Sequence, residues 1–214
     1  MSDAIPPPGD PRRVRQAPQR ARYDRETLYA ILDAASIGHV AFVHAGRPQS
    51  IPTAIARLDD GLWLHGSRSS RLYRTLAAGE PVAVSVCLVD ALVKARSAFH
   101  CSMNYRSAVV FGRGEAVHGA AKRALLDRFT ERLIPGSAGD FREHLPKELK
   151  ATELVRLPLD EAACKVRSGG PHDDAEDLAL PFWAGVLPLA TVVGAPVDAA
   201  DLAPGIEPPP ALRG

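Results

Sequence analysis

Apolar residues recur at two different spacings along this chain, and each spacing predicts its own kind of element. Asp24 precedes a helical spacing that predicts a capped amphipathic helix ending at Gly38, with its apolar stripe at Leu28, Ile31, Leu32 and Ala35. The same spacing over 120–133 predicts a second amphipathic helix that ends before Pro135, with Leu125, Leu126, Phe129 and Leu133 facing inward. Most of the remaining apolar residues fall in shorter, β-branched runs.

These shorter runs predict about six or seven β-strands. They cover residues 39–45, 49–58, 62–65, 82–89, 105–117, 154–159 and 163–167, and a stretch over 92–97 continues or pairs back on the fourth of them. Pro52 lacks a backbone donor, so the second strand is expected at a sheet edge or a bulge. Strands and helices do not alternate regularly, which excludes a doubly wound parallel sheet. We therefore predict a mainly β chain with peripheral helices, built as a small, partly closed barrel.

The polar run 65–71 lies between a predicted strand and a predicted helix over 70–78. A loop of this kind leaves backbone N–H groups free at a helix start, where a phosphate can bind. Ser67 and Ser70 add hydroxyl groups and Arg71 adds a cation, and the spacing of Ser67 and Arg71 is that of one helical face. The alternative is a Ser-capped surface helix with solvated arginines.

Two further residues are candidates for chemistry. His65 ends a strand directly before this loop, where an imidazole could donate a hydrogen bond or transfer a proton near neutral pH. The alternative for His65 is a purely structural role. Trp183 is expected in the core or an interface, or stacked on a planar cofactor. No GxSxG nucleophile motif is present, and the acidic segment 173–177 is typical of a solvated turn.

Composition narrows the classes of function. The chain has 214 residues with 46% hydrophobic and 24% charged residues, which is typical of a soluble globular protein. A net charge of +1 argues against a general nucleic-acid partner, and without an 18-residue apolar run or a signal core we expect a cytoplasmic protein with no membrane partner. Cys87, Cys101 and Cys164 are interpreted as reduced thiols; no CxxC occurs, and no metal site is predicted.

The chain divides into three parts by composition. Residues 1–22 are basic and rich in proline, which predicts a disordered N-terminal arm. Residues 23–190 hold the predicted strands and helices and form the expected domain. Residues 191–214 are rich in proline and alanine and predict a loose C-terminal tail.

Several segments, taken in order, resemble the pyridoxamine 5′-phosphate oxidase-like flavoproteins with the FMN-binding split-barrel fold. Within that group they resemble in particular the branch that includes the nitroimidazole resistance proteins. The matching segments are 38–43, 48–54, 62–67, 104–112, 148–152, 165–167 and 183–188, within about residues 23–190.

The resemblance implies a homodimer with FMN at the subunit interface. It places the backbone of the second strand along the isoalloxazine, at Pro52, Thr53, Ala54 and Ile55. It places His65 and Gly66 beside the flavin and Ser67, Ser70 and Arg71 on its phosphate. Ser107 is implied near the flavin, and Trp183 is implied to reach the ring from the partner subunit. His65 is the candidate catalytic residue.

The chain departs from true pyridoxamine phosphate oxidases at two places. Their arginine- and histidine-bearing C-terminal segment is replaced by an Ala/Pro-rich end with Arg213 as its only late cation, and their basic pair in the second strand is replaced by residues 53–55. Vitamin B6 oxidation is therefore not expected. We predict instead an FMN-dependent oxidoreductase acting on a small planar molecule, with a nitroreductase-like reaction compatible with this assignment.

Two other classes of function stay open. One is a non-enzymatic flavin store or a haem-binding split barrel, in which His65 or another histidine is the axial ligand. The other is a β-barrel interaction module whose basic loop binds an anionic partner.

Overall fold

Helix α1 begins at its predicted cap. The computed structural model describes residues 4–213, and in it α1 spans Arg25–Asp33. The Asp24 carboxylate accepts a hydrogen bond from the backbone N–H of Thr27 at 2.7 Å, which satisfies a free donor of the first turn. The apolar stripe is buried in the main core at Leu28, Ile31, Leu32 and Ala35. The capped amphipathic helix is therefore confirmed.

The end of α1 differs from the prediction. Its C-cap is Ala34, and strand β2 (Ile37–His44) already contains Gly38. A Cβ on Gly38 would lie 2.9 Å from the Val84 side chain, so the glycine allows β2 to pack closely on the core. The prediction that Gly38 ends the helix is wrong.

The strands form two antiparallel sheets, a large one and a small one. The large sheet contains β1 (Ala21–Arg22), β2, β3 (Arg47–Ala54), β6 (Pro81–Lys94), β7 (Ser102–Arg113), β10 (Glu161–Arg167) and β11 (Gly185–Pro188). Its order is β1-β10-β7-β6-β2-β3, with β11 beside β6. The small sheet contains β4 (Ala56–Leu58), β5 (Gly61–Ser67), β8 (Glu115–Ala116) and β9 (Thr152–Pro158), in the order β4-β5-β9-β8. The mainly β class is confirmed.

The other helices lie at the margins of the sheets, as predicted. They are α2 (Arg71–Ala77), α3 (Ala120–Leu133) and α4 (Pro146–Ala151), with short 3-10 helices at Pro18–Arg20, Ala175–Asp177 and Pro210–Leu212. Helix α2 ends just before Gly79, whose φ of 68° is the left-handed conformation that glycine accepts readily. Helix α3 has the predicted bounds. Helix α4 was not predicted, because six residues are too few for a clear apolar period.

Two predicted strands are divided differently in the structure. The predicted strand 49–58 is two strands, since the chain passes from β3 in the large sheet to β4 in the small sheet at the fully buried Ile55. The predicted break at Asp90 is a bulge within one long strand, β6, and the Asp90 carboxylate pairs with Arg106 at 2.8 Å. The extra residue is thus held by an ion pair instead of ending the strand.

The terminal segments have contacts of their own. Ala21 and Arg22, which we assigned to the disordered arm, pair with Cys164 and Lys165 as strand β1, so the sheet begins before residue 23. The backbone N–H of Val14 donates to the Tyr23 hydroxyl at 3.0 Å. In the predicted tail, Pro210–Leu212 forms a 3-10 helix. Residues 1–3 of the arm and residue 214 of the tail lie outside the described residues.

Two cores hold the sheets and helices together. The main core lies between the facing surfaces of the two sheets together with α1 and α2, and it contains Leu64, Val84 and Leu157. The second core lies between the other face of the small sheet and α3, and it contains Trp63, Phe129 and Leu154. The small sheet is therefore covered on both faces.

The outer face of the large sheet is open in the single chain. Residues paired across β2, β3, β6 and β7 point to this face, and its apolar side chains include Ile37, Val43 and Val89, which are 50%, 66% and 42% exposed. Within residues 4–213, no helix is long and apolar enough to cross a membrane.

Candidate functional site

The polar loop between β5 and α2 starts later than the sequence indicates. Strand β5 continues through Gly66 to Ser67, and Ser70 is the N-cap of α2. The Ser70 hydroxyl accepts a hydrogen bond from the backbone N–H of Tyr73 at 3.2 Å, so it caps the helix. Because Ser67 lies in a strand and Arg71 in a helix, the prediction that they share one helical face is wrong. They still lie at the two ends of the same short loop.

Several polar groups of this loop face solvent without a strong partner in the chain. The Ser67 and Ser69 hydroxyls are 2.9 Å apart and bond each other. The exposed guanidinium of Arg71 makes no hydrogen bond or ion pair with any residue from 4 to 213. An unpaired cation beside two hydroxyl groups is the donor set that binds a phosphate.

Tyr73 ties this loop to strand β3, and the sequence analysis did not identify it. The Thr53 hydroxyl and the Tyr73 hydroxyl are 3.0 Å apart. A Cβ on Gly66 would lie 2.2 Å from the Tyr73 ring, so the ring covers this glycine directly. Burial raises the pKa of Tyr73, which keeps its hydroxyl protonated and able to donate. Thr53, Gly66 and Tyr73 therefore form one contact set behind the loop.

The predicted flavin-lining segment 52–55 lies at the end of the large sheet. Among the described strands, β3 pairs with β2 alone, so Pro52 occupies an edge strand as predicted. Thr53 and Ala54 are half-buried, and the Ile55 side chain is fully buried in the main core. An edge strand offers unpaired backbone N–H and C=O groups to a ligand, and here it does so next to the polar loop.

His65 is close to the loop in sequence but faces away from it. Neighbouring residues of a strand point to opposite faces, and the imidazole lies on the α3 side, edge-on to the Phe129 ring with centroids 4.5 Å apart. Burial lowers the pKa of His65, so the ring is neutral near pH 7. Its nitrogens make no hydrogen bond to the described part of the chain. His65 therefore does not share a face with Gly66 and Thr53.

Ser107 and Trp183 lie away from the loop within one chain. Ser107 is in the middle of β7, where its hydroxyl donates to the Lys165 carbonyl at 3.3 Å. Trp183 precedes β11, is 57% exposed, and packs over Gly185. Strand β11 pairs with β6 as far as Lys94, roughly 30 Å along β6 from Ser85, where β2 is in register. Their predicted contact with the flavin therefore needs a second subunit.

Two antiparallel sheets closed into a partly open barrel, with an edge strand beside a polar strand–helix loop, define the split-barrel class of flavoproteins. The family model described as pyridoxamine 5′-phosphate oxidase matches residues 24–166. The chain belongs to this family, and the predicted fold and family are confirmed.

Solved structures agree with this assignment. The FAD and heme binding protein from Mycobacterium smegmatis is 42% identical, over 91% of this chain and 96% of that one, with a TM-score of 0.87. The flavocytochrome Anf3 from Azotobacter vinelandii is 39% identical over 96% of both chains, with a TM-score of 0.90. A candidate 5-nitroimidazole antibiotic resistance protein from Bacteroides thetaiotaomicron shares the fold at 20% identity, over 68% of this chain and 86% of that one, with a TM-score of 0.57. No curated protein sequence matches the chain.

Proposed function

We propose that this protein is a flavin-dependent redox protein that holds the flavin phosphate at the loop between β5 and α2. The observation that carries the proposal is the Arg71 guanidinium, which is exposed and unpaired within residues 4–213 and lies beside the paired hydroxyls of Ser67 and Ser69. Charge-assisted hydrogen bonds from such groups favour a phosphate over a neutral ligand. The Mycobacterium smegmatis relative binds FAD, which supports a flavin in this chain too.

The chemistry that this loop recognises is the 5′-phosphate on the ribityl chain. FMN ends in that phosphate, and we propose FMN as the cofactor; FAD carries the same phosphate within a diphosphate. The loop residues Ser67 and Arg71 serve either flavin. The length of the ligand beyond this phosphate separates the two, and mass spectrometry of the released cofactor measures it directly.

The flavin supplies the electron-transfer chemistry, and the chain supplies position and protection from water. The free backbone groups of edge strand β3, at Pro52, Thr53 and Ala54, suit hydrogen bonding along the isoalloxazine edge. The Thr53–Tyr73 contact keeps this strand at a fixed distance from the loop. The substrate that fits such a flat site is a small planar molecule.

We propose that His65 supports this chemistry as a neutral imidazole. Its lowered pKa favours the neutral form, which donates a hydrogen bond from one nitrogen and accepts at the other. Loss of general-acid help typically costs about 10²–10⁴ in rate. We expect His65→Gln to keep the flavin and to slow its reoxidation by a substrate. Loss of flavin with a normal rate after reconstitution would show a structural role only.

A second candidate function is a flavin- and haem-binding redox protein. It is favoured by the two relatives near 40% identity, one a FAD and heme binding protein and the other a flavocytochrome. The neutral imidazole of His65, unbonded within the described chain and held edge-on by Phe129, has the form that an iron ligand requires. If haem binds there, His65→Gln removes the Soret band and leaves the flavin bands. An unchanged Soret band would exclude His65 as the ligand.

We propose that the protein is a two-fold symmetric homodimer. The apolar outer face of the large sheet is open in one chain, and Ser107 and Trp183 reach a flavin only from a second one. Two such faces packed together bury this surface and place both residues opposite the loop of the partner. Light scattering of the flavin-loaded protein is expected to give twice the chain mass of 22.9 kDa at micromolar concentration. A monomer mass would refute the dimer.

The test of the proposed function is the identity of the bound cofactor in the purified, full-length protein. We expect denaturation to release FMN or FAD, identified by mass spectrometry, in a protein with flavin absorption bands. A Soret band alongside them would add the haem function. Release of riboflavin without phosphate, or of no flavin from protein that also fails to bind added FMN, would contradict the proposal.

A further inference from the structure

A buried carboxylate lies directly behind the proposed phosphate loop, and neither the fold nor the proposed function accounts for it. Glu153 on β9 is in register with Gly66 on β5, and only 3% of the residue is exposed. Its Oε1 atom is buried and has no hydrogen-bond partner among the described residues. Burying a carboxylate is costly unless a cation compensates it, so a residue of this kind indicates a specific partner.

That partner is Arg68, in the turn between β5 and α2. The Arg68 Nε atom lies 3.3 Å from Glu153 Oε2, while the Arg68 side chain is 61% exposed. The backbone N–H of Arg68 donates to the Ala151 carbonyl at 2.8 Å, which fixes the base of the side chain. Its two terminal amino groups make no hydrogen bond with residues 4–213. Glu153 therefore holds the guanidinium from behind and leaves its outer edge free.

The surroundings of Glu153 contain one more titratable group. His118 follows β8, and its Nδ1 atom lies 3.8 Å from Glu153 Oε1, with the ring 63% exposed. This distance is longer than a hydrogen bond, so His118 does not satisfy the unpaired oxygen. The ion pair with Arg68 is the closest charged contact of Glu153.

We propose that Glu153 is a positioning residue for the phosphate of the bound flavin: it orients Arg68 so that Arg68 and Arg71 hold the phosphate from two sides. The inference rests on the proposed function, because it names a second cation and its support at the same site. Arg68 touches the phosphate through its free amino groups. Glu153 acts through Arg68 and does not touch the ligand.

The charge of Glu153 gives the proposal a sign that distinguishes it from simple electrostatics. If the carboxylate acted on the phosphate only through space, its removal would strengthen phosphate binding, because a negative charge near the ligand would be lost. If it acts by orienting Arg68, its removal weakens phosphate binding. Riboflavin lacks the phosphate, so its affinity does not change in either variant.

The experiment is a titration of the full-length apoprotein with FMN and, separately, with riboflavin. We expect Arg68→Gln to weaken FMN by about tenfold or more, the usual effect of losing a charged hydrogen bond, and Glu153→Gln to weaken it in the same direction by at least about threefold. In the double variant, Glu153→Gln is expected to add nothing to the loss from Arg68→Gln. Arg74→Gln is the matched control, since Arg74 is exposed on α2 and has no contact with Glu153; we expect less than about a twofold change.

Three results would overturn the inference: tighter FMN binding in Glu153→Gln, equal losses of FMN and riboflavin affinity in that variant, or unchanged FMN binding in Arg68→Gln. If Glu153→Gln does not fold, the comparison of Arg68→Gln with Arg74→Gln decides alone, because both side chains are exposed. Equal affinity of the unchanged protein for FMN and riboflavin would overturn the proposed function together with this inference. A loss in Arg71→Ala without a loss in Arg68→Gln would overturn this inference alone.

Discussion

The two sheets of this protein differ in how they are covered. The small sheet packs on the main core with one face and on α3 with the other, so Leu64 and Trp63, adjacent on β5, are both buried. The large sheet packs on the core with one face, and its other face exposes apolar side chains such as Val43 and Val89. One sheet completes its burial within the chain, and the other does so only with a partner.

This difference separates stability from assembly. Side chains on the α3 side of the small sheet contribute to the folding of each chain. Side chains on the outer face of the large sheet contribute little to the single chain and become important when a second chain covers them. The proposed flavin site lies where the two sheets meet, between edge strand β3 and the end of β5.

The largest expected effect is on the covered side of the small sheet. Phe129 is 1% exposed and packs between α3 and His65, so Phe129→Ala leaves a cavity and is expected to lower the free energy of unfolding by about 3–5 kcal/mol. Chemical denaturation measures the change. Phe141→Ala is the matched control, because Phe141 is 59% exposed, and its effect is expected to stay below about 1 kcal/mol. Similar losses in the two variants would remove the distinction.

A smaller effect is expected inside the site. Gly66→Ala places a Cβ 2.2 Å from the Tyr73 ring, which must move and release its hydroxyl from Thr53. Overpacking of this kind costs about 1–3 kcal/mol. Thermal unfolding and FMN titration are both expected to show the loss. Gly170→Ala serves as the control, since a Cβ there meets nothing within 4 Å; a comparable loss at Gly170 would contradict the explanation.

On the open face of the large sheet we expect an effect on mass rather than on folding. Val89→Asp places a charge on the proposed dimer surface and is expected to weaken association at least tenfold, about 1.4 kcal/mol. Sedimentation over a range of concentrations measures it. Ile134→Asp is matched in exposure, 43% against 42%, but lies at the end of α3 and is expected to leave the dimer intact. Dissociation by both variants, or by neither, would argue against this surface.

The smallest expected effect is the pH dependence of stability due to His65. Burial lowers its folded pKa below the usual 6.5, so near pH 6 the unfolded chain binds more protons than the folded one. The stability of the apoprotein relative to His65→Gln should therefore fall as pH decreases from 7 to 5. The raised pKa of His100 acts in the opposite direction, but it is common to both proteins and cancels. A relative stability that rises toward pH 5 would contradict the burial of His65.

Local patterns in the sequence are enough for the helices and the phosphate loop. Helices α1 and α3 follow from their apolar spacing, and the loop follows from Ser and Arg residues between a strand and a helix. The alternation of side chains along a strand also separates His65 from Gly66, and applying it to β5 would have placed the imidazole away from the loop.

Features that depend on distant pairing were not accessible to sequence reasoning. Glu153 is buried because β9 pairs with β5 in a register that places it opposite Gly66, far away in sequence. Tyr73 has the spacing of a core residue on α2, and its hydroxyl contact with Thr53 requires β3 to lie beside that helix. Strand β11 is four residues long and is held by its pairing with β6, which composition alone does not indicate.

The central claim is that the loop between β5 and α2 binds the phosphate of a flavin, and the most direct test is the titration of the apoprotein and its Arg71→Ala variant with FMN and riboflavin. Arg71 is exposed and unpaired within the described chain, so the substitution removes a ligand contact without removing a fold contact. We expect FMN to bind at least about tenfold more tightly than riboflavin to the unchanged protein, and Arg71→Ala to lose most of that difference. Equal affinities for the two flavins in the unchanged protein would contradict the claim.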